Sequence, residues 1–412
     1  MTAPLDESPG ISIVLGVESQ IGLAIVRELG RAGVKVIALS HDRRAMGLRS
    51  RYVAQSELIV PRSDNLLRTL RRLGEQHGHC SLLMVSEANL QWMTRHLDKL
   101  GPFIHPAVPP ASALAKVLDK QLTLAIAVQL GIAIPKTEEP LSLRDIERLA
   151  SDFPFPAVLK WKDAEAVSAA LSHHGLPFIK AEYIYSGPEL LAIGRRYAVL
   201  KQWPLVQQYC RGQGLGQFFF IRGGQVLQRF QHLRVAEWPP EGGFSSVCDG
   251  LPTSTHEDLQ TRSVELLRTI GWEGVAMVEY RLDPATGTAL LMEINGRFWG
   301  SFPLAMHSQA KFSLLAHRVA LGLEVEVQTP PLAGLRCRMV LTEIKRLVRL
   351  FLQPDKVLDR QFEIRKAFEL RRFAADFFRP KVRYFLWSSH DPLPWLADVW
   401  NMAAKLLRLR GA

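Results

Sequence analysis

Glu279 and Glu293 lie equidistant from Thr286, in a run that reads as a β-hairpin. Val275 to Arg281 forms one strand, Asp283-Pro284-Ala285-Thr286-Gly287 the turn, and Thr288 to Asn295 the return strand; Pro and Gly mark the turn. Pairing symmetric about Thr286 sets position 279 opposite 293, with Asn295 two residues on and on the same face. Directly opposed side chains have Cβ atoms roughly 5 Å apart. At that separation two carboxylates repel unless a cation or a shared proton sits between them. A hard divalent cation, Mg²⁺ or Mn²⁺, is the natural partner: it takes oxygen ligands, one or two of them protein carboxylates, and fills the rest with water or nucleotide phosphate. The competing reading is a solvated hairpin with acidic decoration, and a one-residue bulge would break the facing register.

The continuation, Leu291-Met292-Glu293-Ile294-Asn295-Gly296-Arg297-Phe298-Trp299-Gly300-Ser301, resembles the metal-binding signature of the ATP-grasp superfamily, and Gly274 to Tyr280 resembles its preceding strand. The similarity runs over most of residues 1 to 330 and is nearest the carbamoyl-phosphate-synthase-like and carboxylate–amine ligase branch. It implies ATP and Mg²⁺ as cofactors, with Glu279, Glu293 and Asn295 as metal ligands. Leu118-Asp119-Lys120, followed by Gly131 to Pro135, resembles the family's entry to the nucleotide site, which makes Lys120 the first phosphate lysine. Lys160, ending the apolar run Phe155 to Leu159, matches the second; an ammonium on a buried strand is costly without an anion. Pro204 to Gly212 resembles the hinge that holds the adenine edge, Gln207 through its side chain and Gln208 and Cys210 through their backbones. Arg234 and Arg297 match positions near the reacting carboxyl group, and an arginine fork suits carboxylate or phosphate oxygens.

One segment departs from the family. Many ATP-grasp enzymes follow the second lysine with a glycine-rich loop that closes over the phosphates, whereas Trp161 to Leu176 holds only Gly175, with His173 and His174 beside it. Glu241-Gly242-Gly243-Phe244-Ser245-Ser246 reads as a flexible loop over the site.

The elements that must position these groups are an α/β and α+β set. Residues 1–110 read as an open parallel α/β domain: strands Ile11 to Leu15, Val34 to Leu39 and Ser81 to Val85, with a helix up to Ala32 and another from Ser86 to about Leu100. Gly16 and Gly22 bracket five other residues, so the three-glycine dinucleotide fingerprint is absent. His41, Asp42, Ser86 and Glu87 are candidates at the strand ends, which face substrate in such sheets. Residues 111–330 read as a two-lobed ATP-grasp fold, one lobe over about 111–203 and the other over about 204–330. It opens with a single helix from Ala111 through Val128, then a strand-like Ile132 to Pro135. A hairpin turns at Gly223-Gly224.

The chain's 412 residues, 47% hydrophobic, can build two or three domains with real cores. Four scattered cysteines suit a reducing compartment and give no zinc spacing. Met1 to Gly10 carries no signal-peptide pattern, and no apolar run approaches the ~20 residues that span a bilayer. The expectation is a cytoplasmic protein. Of the net charge of +11, +9 falls after Pro330, where 17 Lys and Arg face 8 Asp and Glu. This extension, residues 331–412, reads as basic, mainly helical and amphipathic. Val340, Ile344, Leu347, Val348 and Phe351 mark one helix, and Trp395 through Leu407 a second. Packing of these faces on the grasp domain is the favoured expectation, and attachment to an anionic membrane surface or contact with an acidic polymer or partner the alternatives. No motif supports sequence-specific nucleic-acid binding.

By the resemblance, the chain is an ATP- and Mg²⁺-dependent ligase that activates a small-molecule carboxylate as an acyl phosphate for attack by an amine or larger acceptor, compatible with a homodimer. An ATP-grasp phosphotransferase and a nucleotide-binding regulator without turnover are the alternatives.

Overall fold

The structure, a computed structural model, describes residues 10–162 and 164–410. The stretch before Gly10, read above for a leader, and the side chains beyond Ala404 lie outside the described residues.

Five parallel strands open the chain: β1 (Ile11–Leu15), β2 (Lys35–Ser40), β3 (Val53–Leu58), β4 (Cys80–Met84) and β5 (Ile104–Pro106), in spatial order β3-β2-β1-β4-β5. Helices α1 (Gln20–Arg31), α2 (Asp64–His77) and α3 (Glu87–Thr94) connect them. β1, β2 and β4 are nearly continuous buried runs, as a sheet covered on both faces requires. Sequence reading missed β3 and β5. The β3 residues, Val-Ala-Gln-Ser-Glu-Leu, alternate in burial at the sheet edge and carry no apolar run, and β5 is only three residues long in a Pro-rich stretch. α3 also ends earlier than expected, at Thr94, with a separate short 3₁₀ turn at Leu97–Lys99.

The expected single helix from Ala111 is two, α4 (Ala111–Leu118) and α5 (Lys120–Gln129). Asp119 leaves the helical region, and its carboxylate caps α5 by accepting from the N–H groups of Gln121 and Leu122. Both helices pack on the sheet of the second lobe. Ile132 to Pro135 forms no strand of its own. The first lobe is a four-stranded sheet, β6-β9-β7-β8, built from β6 (Thr137–Glu138), β7 (Ala157–Lys160), β8 (Glu182–Ile184) and β9 (Leu205–Gln208), with α6 (Leu143–Asp152), α7 (Ala164–His173) and α8 (Gly187–Tyr197). Where the family's glycine-rich lid was expected to be altered, the chain forms α7.

The second lobe carries β10 (Gln213–Arg222), β11 (Gln225–Trp238), β12 (Phe244–Leu251), α9 (Glu257–Ile270), β13 (Gly274–Leu282), β14 (Ala289–Asn295), α10 (Phe302–His307) and α11 (Phe312–Ala320). Gly223 and Gly224 both have positive φ, as the tight β10–β11 turn needs. Glu241 to Ser246 is not a loose loop: Glu241 is buried, Phe244–Ser246 already belong to β12, and Gly243 packs against the Trp238 carbonyl too closely to admit a Cβ.

The extension supplies β15 (Arg336–Arg338), α12 (Val340–Leu352), α13 (Lys366–Ala375), β16 (Val382–Tyr384) and α14 (Leu393–Arg410). β15 and β16 extend the second lobe's sheet to seven strands, β14-β13-β10-β11-β12-β15-β16. α12 packs with its charged face inward. Glu343 and Arg346 are buried, Arg346 bridging Glu369 at 2.8 Å and donating to the carbonyls of Glu237 and Pro240. Ile344, Val348 and Leu352 face out, the reverse of the expected packing. Each buried backbone carbonyl and carboxylate at this interface needs a donor, and arginine provides several. Asp359 ties the extension to the first lobe by accepting from the hydroxyls of Tyr185 and Tyr209, each at 2.7 Å.

Candidate active site

The acidic hairpin is β13–β14. Near the turn, Arg281 pairs with Leu290 and Leu282 with Ala289, one residue away from symmetry about Thr286. A bulge after Glu279 takes up Met292 and restores the facing register, so Glu279 pairs with Glu293 and Met277 with Asn295. The pair reached by assuming a symmetric hairpin therefore stands, but through a bulge. Asn295 donates its side-chain N–H to Glu293 Oε1 at 3.1 Å.

Cations surround this pair. Lys120 Nζ, on the first turn of α5, lies 3.5 Å from Glu293 Oε2. Arg234 Nη2 meets Glu279 Oε2 at 2.6 Å, and its Nη1 donates to Glu237 Oε1 at 3.0 Å and to the Gly243 carbonyl at 2.9 Å. Arg234 stands on β11 and Glu279 on β13, with β10 between them. The side chain must cross β10, and it does so over Gly214, where a Cβ would come 2.5 Å from Arg234 Cδ. Arg297 donates to Asn295 Oδ1 at 3.0 Å and lies 3.9 Å from Glu87 of the N-terminal domain.

Burial raises the Glu279 carboxyl above the ordinary range, and neighbouring Glu293 adds to the rise despite Arg234. Burial acts on Glu293 in the same sense, but Lys120, the Asn295 hydrogen bond and Lys160 outweigh it and hold Glu293 low. Burial also lowers the Lys160 ammonium, with Glu293 opposing. Lys160 Nζ donates to Gln207 Oε1 at 2.9 Å, and Gln207 in turn donates to Thr137 Oγ1 at 3.0 Å. Along the hinge, the Gln208 N–H is already bound to the Lys136 carbonyl at 2.8 Å, and the Cys210 thiol donates to the Gln208 carbonyl.

The four rim candidates separate. Glu87 reaches the Arg297 side of the site. Ser86 caps α3 by accepting from the Asn89 N–H, His41 pairs with Glu18 at 3.0 Å, and Asp42 holds the Arg44 N–H. Glu237 and Arg281, 3.4 Å apart and joined to the Arg234 cluster, were not singled out from sequence. Arg281 had a signal, standing two residues from Glu279 on one strand face. Glu237 had none: it lies three residues from Arg234, an odd spacing, and only register shifts on both sides of Ala236 turn it to the same side.

Residues 247–327 match the family described as Carbamoyl-phosphate synthase L chain, ATP binding domain. Biotin carboxylase from Campylobacter jejuni, solved as a β-γ-ATP complex, superposes with a TM-score of 0.61 at 14% identity, covering 79% of this chain and 74% of that one. The chain carries an ATP-grasp fold. N5-carboxyaminoimidazole synthetase from Staphylococcus aureus shares that fold, with a TM-score of 0.56, 13% identity and coverage of 81% and 82%. L-amino acid ligase from Bacillus licheniformis does so at 0.52, 17% identity and coverage of 79% and 75%. In the ATP-grasp frame the seven-stranded and four-stranded sheets are the two lobes, and Lys160 and Gln207 stand on adjacent strands of the smaller one.

Proposed function

We propose that this protein is an ATP- and Mg²⁺-dependent ligase that activates a carboxylate as an acyl phosphate for attack by an amine or another nucleophile. The observation that carries the reading is the facing pair Glu279 and Glu293, with Lys120 at Glu293, Arg234 at Glu279 and Arg297 at the adjoining Asn295. The donor set fits a hard cation. Among the described residues no three His, Cys, Asp or Glu side chains gather to hold a metal. Glu279, Glu293 and Asn295 would supply the protein's oxygen ligands and leave the rest to water and phosphate, as Mg²⁺ prefers.

Bound there, the metal would neutralise phosphate charge as the γ-phosphoryl group moves to the substrate carboxylate. Lys120 and Lys160 would hold phosphate oxygens, and an anion beside the half-buried Lys160 would offset the desolvation that now lowers its pKa. Gln207 would hold Lys160 and meet the purine edge, with the Gln208 carbonyl and the Cys210 backbone beside it. Arg234 would orient the carboxylate, and Arg297 would stabilise the oxyanion as the nucleophile displaces phosphate. No side chain need become covalently attached. The neighbouring folds in solved structures, by name two ligating enzymes and a carboxylase, support the class and not the acid or the amine.

The helix α7 in place of a glycine-rich lid favours a second reading, a nucleotide-binding regulator. The same measurement separates the two, and the phosphotransferase as well. With MgATP and a pooled library of carboxylates and amines, a ligase releases ADP and phosphate only when acid and amine are both present. A phosphotransferase leaves the phosphate on its product, and a regulator binds ATP without turnover. Glu293→Ala should lower turnover by about 10²-fold or more; product formation at the normal rate would remove the metal role. Arg234→Ala should raise KM for the carboxylate more than for ATP.

A further inference from the structure

In the extension, charge is sorted between inside and outside. Between residues 340 and 404, nine Lys and Arg are exposed against only two acids, Asp355 and Glu363. Glu343, Asp359, Glu369, Asp376 and Asp391 are buried, where they bind Arg338, Tyr185 and Tyr209, Arg346, Arg336 and Arg27. The outer surface is thus far more basic than the segment's composition suggests.

Apolar side chains share that surface. Of 24 large hydrophobic residues exposed among the described ones, 12 lie between 344 and 400, about a seventh of the chain's length. On α12 they form a stripe at i, i+4, i+8: Ile344, Val348 and Leu352, the last 76% exposed. On α14, Leu393, Leu396 and Trp400 form another, Trp400 being 74% exposed. Lys366 of α13 covers the Phe351 ring of α12 at 5.7 Å, so a base stands beside the apolar side chains of that helix. Monomeric proteins rarely leave so many large apolar side chains exposed on one segment without a partner.

We propose that the α12–α14 extension docks the protein on an anionic phospholipid bilayer, with the two stripes entering the headgroup boundary and the surrounding Lys and Arg meeting lipid phosphates. The combination selects the occupant. A second copy would bring a like-charged face against this one, which costs association. A nucleic acid or other acidic polymer would use the bases but gain nothing from exposed Leu, Ile and Val. A bilayer with anionic headgroups uses both, as interfacial amphipathic helices do. Among the described residues no helix is long and apolar enough to cross a membrane, and the contact proposed is a peripheral one. The proposal is independent of the ligase reading.

The test is sedimentation of the full-length protein with vesicles of phosphatidylglycerol and phosphatidylcholine, compared with phosphatidylcholine alone. The expected result is binding to the anionic vesicles, weakened at 0.5 M salt on the order of a Debye length near 4 Å, and little binding to the neutral ones. Leu352→Asp with Trp400→Asp should weaken it at least about tenfold. Lys345→Glu with Lys366→Glu should also weaken it by about tenfold or more. All four positions are exposed; unchanged circular dichroism and MgATP affinity check that the variants are folded. Absence of binding to anionic vesicles overturns the proposal. So does binding that the Leu352 and Trp400 changes leave intact, which would mark a purely electrostatic polymer site. A wild-type dimer that these changes make monomeric, without vesicle binding, would assign the face to a second copy and overturn it equally.

Discussion

Gly214 decides whether Arg234 can reach the acidic hairpin at all. A guanidinium on β11 reaches a carboxylate on β13 only by lying across β10, and β10 presents a glycine at the crossing. Gly214→Val should therefore push Arg234 off Glu279 while leaving the strand, where valine is well accepted. The expected outcome is MgATP affinity within about threefold of the parent and a rise in KM for the carboxylate approaching that of Arg234→Ala; a carboxylate KM equal to the parent's would show that the crossing is dispensable. Single residues were legible where a side chain's chemistry and its spacing coincide, as for Glu279, Glu293 and Asn295. They were not legible where contact depends on what a neighbour lacks. Nothing in Gln213-Gly214-Leu215 says that an arginine from another strand will lie over it, and Glu237 enters the cluster only through bulges that no residue type announces.

At the level of elements, apolar runs were the readable signal. β1, β2, β4 and β7 are buried and could be placed from sequence, while the half-wet edge strand β3 could not. The break between α4 and α5 could have been read from Asp119, a residue type that favours helix N-caps, but Lys116 to Val128 continues a helical pattern across it. The joint between α10 and β16 gives a pH prediction. His307 donates from Nε2 to the Tyr384 carbonyl at 3.0 Å, and burial lowers its pKa to about 4. In the unfolded chain a histidine takes its proton near pH 6.5, so between about pH 6.5 and 4 the unfolded state binds more protons than the folded one. Stability should thus be full above that window and fall as pH drops through it, by up to roughly 3 kcal/mol from this group. Urea unfolding at pH 7 and pH 4.5 measures the fall. His307→Gln, which keeps an N–H donor and does not titrate, should shrink the difference, and an unchanged difference would place its origin elsewhere.

Across the whole molecule, the domain order and the two-lobed plan followed from motif order, but the way the extension is built in did not. Its strands complete a sheet begun far upstream, and its inward-facing arginines answer backbone carbonyls that only the folded chain brings together. Asp359 is the clearest case. It holds Tyr185 beside β8 and Tyr209 at the hinge, with Arg360 pairing Glu189 at 3.0 Å alongside. Asp359→Ala should leave both phenols without their acceptor and loosen the smaller lobe. Hydrogen exchange should speed up in β7 to β9, and KM for ATP should change while overall stability falls by only about 1–3 kcal/mol. Exchange rates equal to the parent's would mean that the contact restrains nothing. Because one carboxylate anchors both the hinge and the flank of the smaller lobe, the extension and that lobe are fastened together at a single residue, and neither can be displaced far from the other without breaking both bonds.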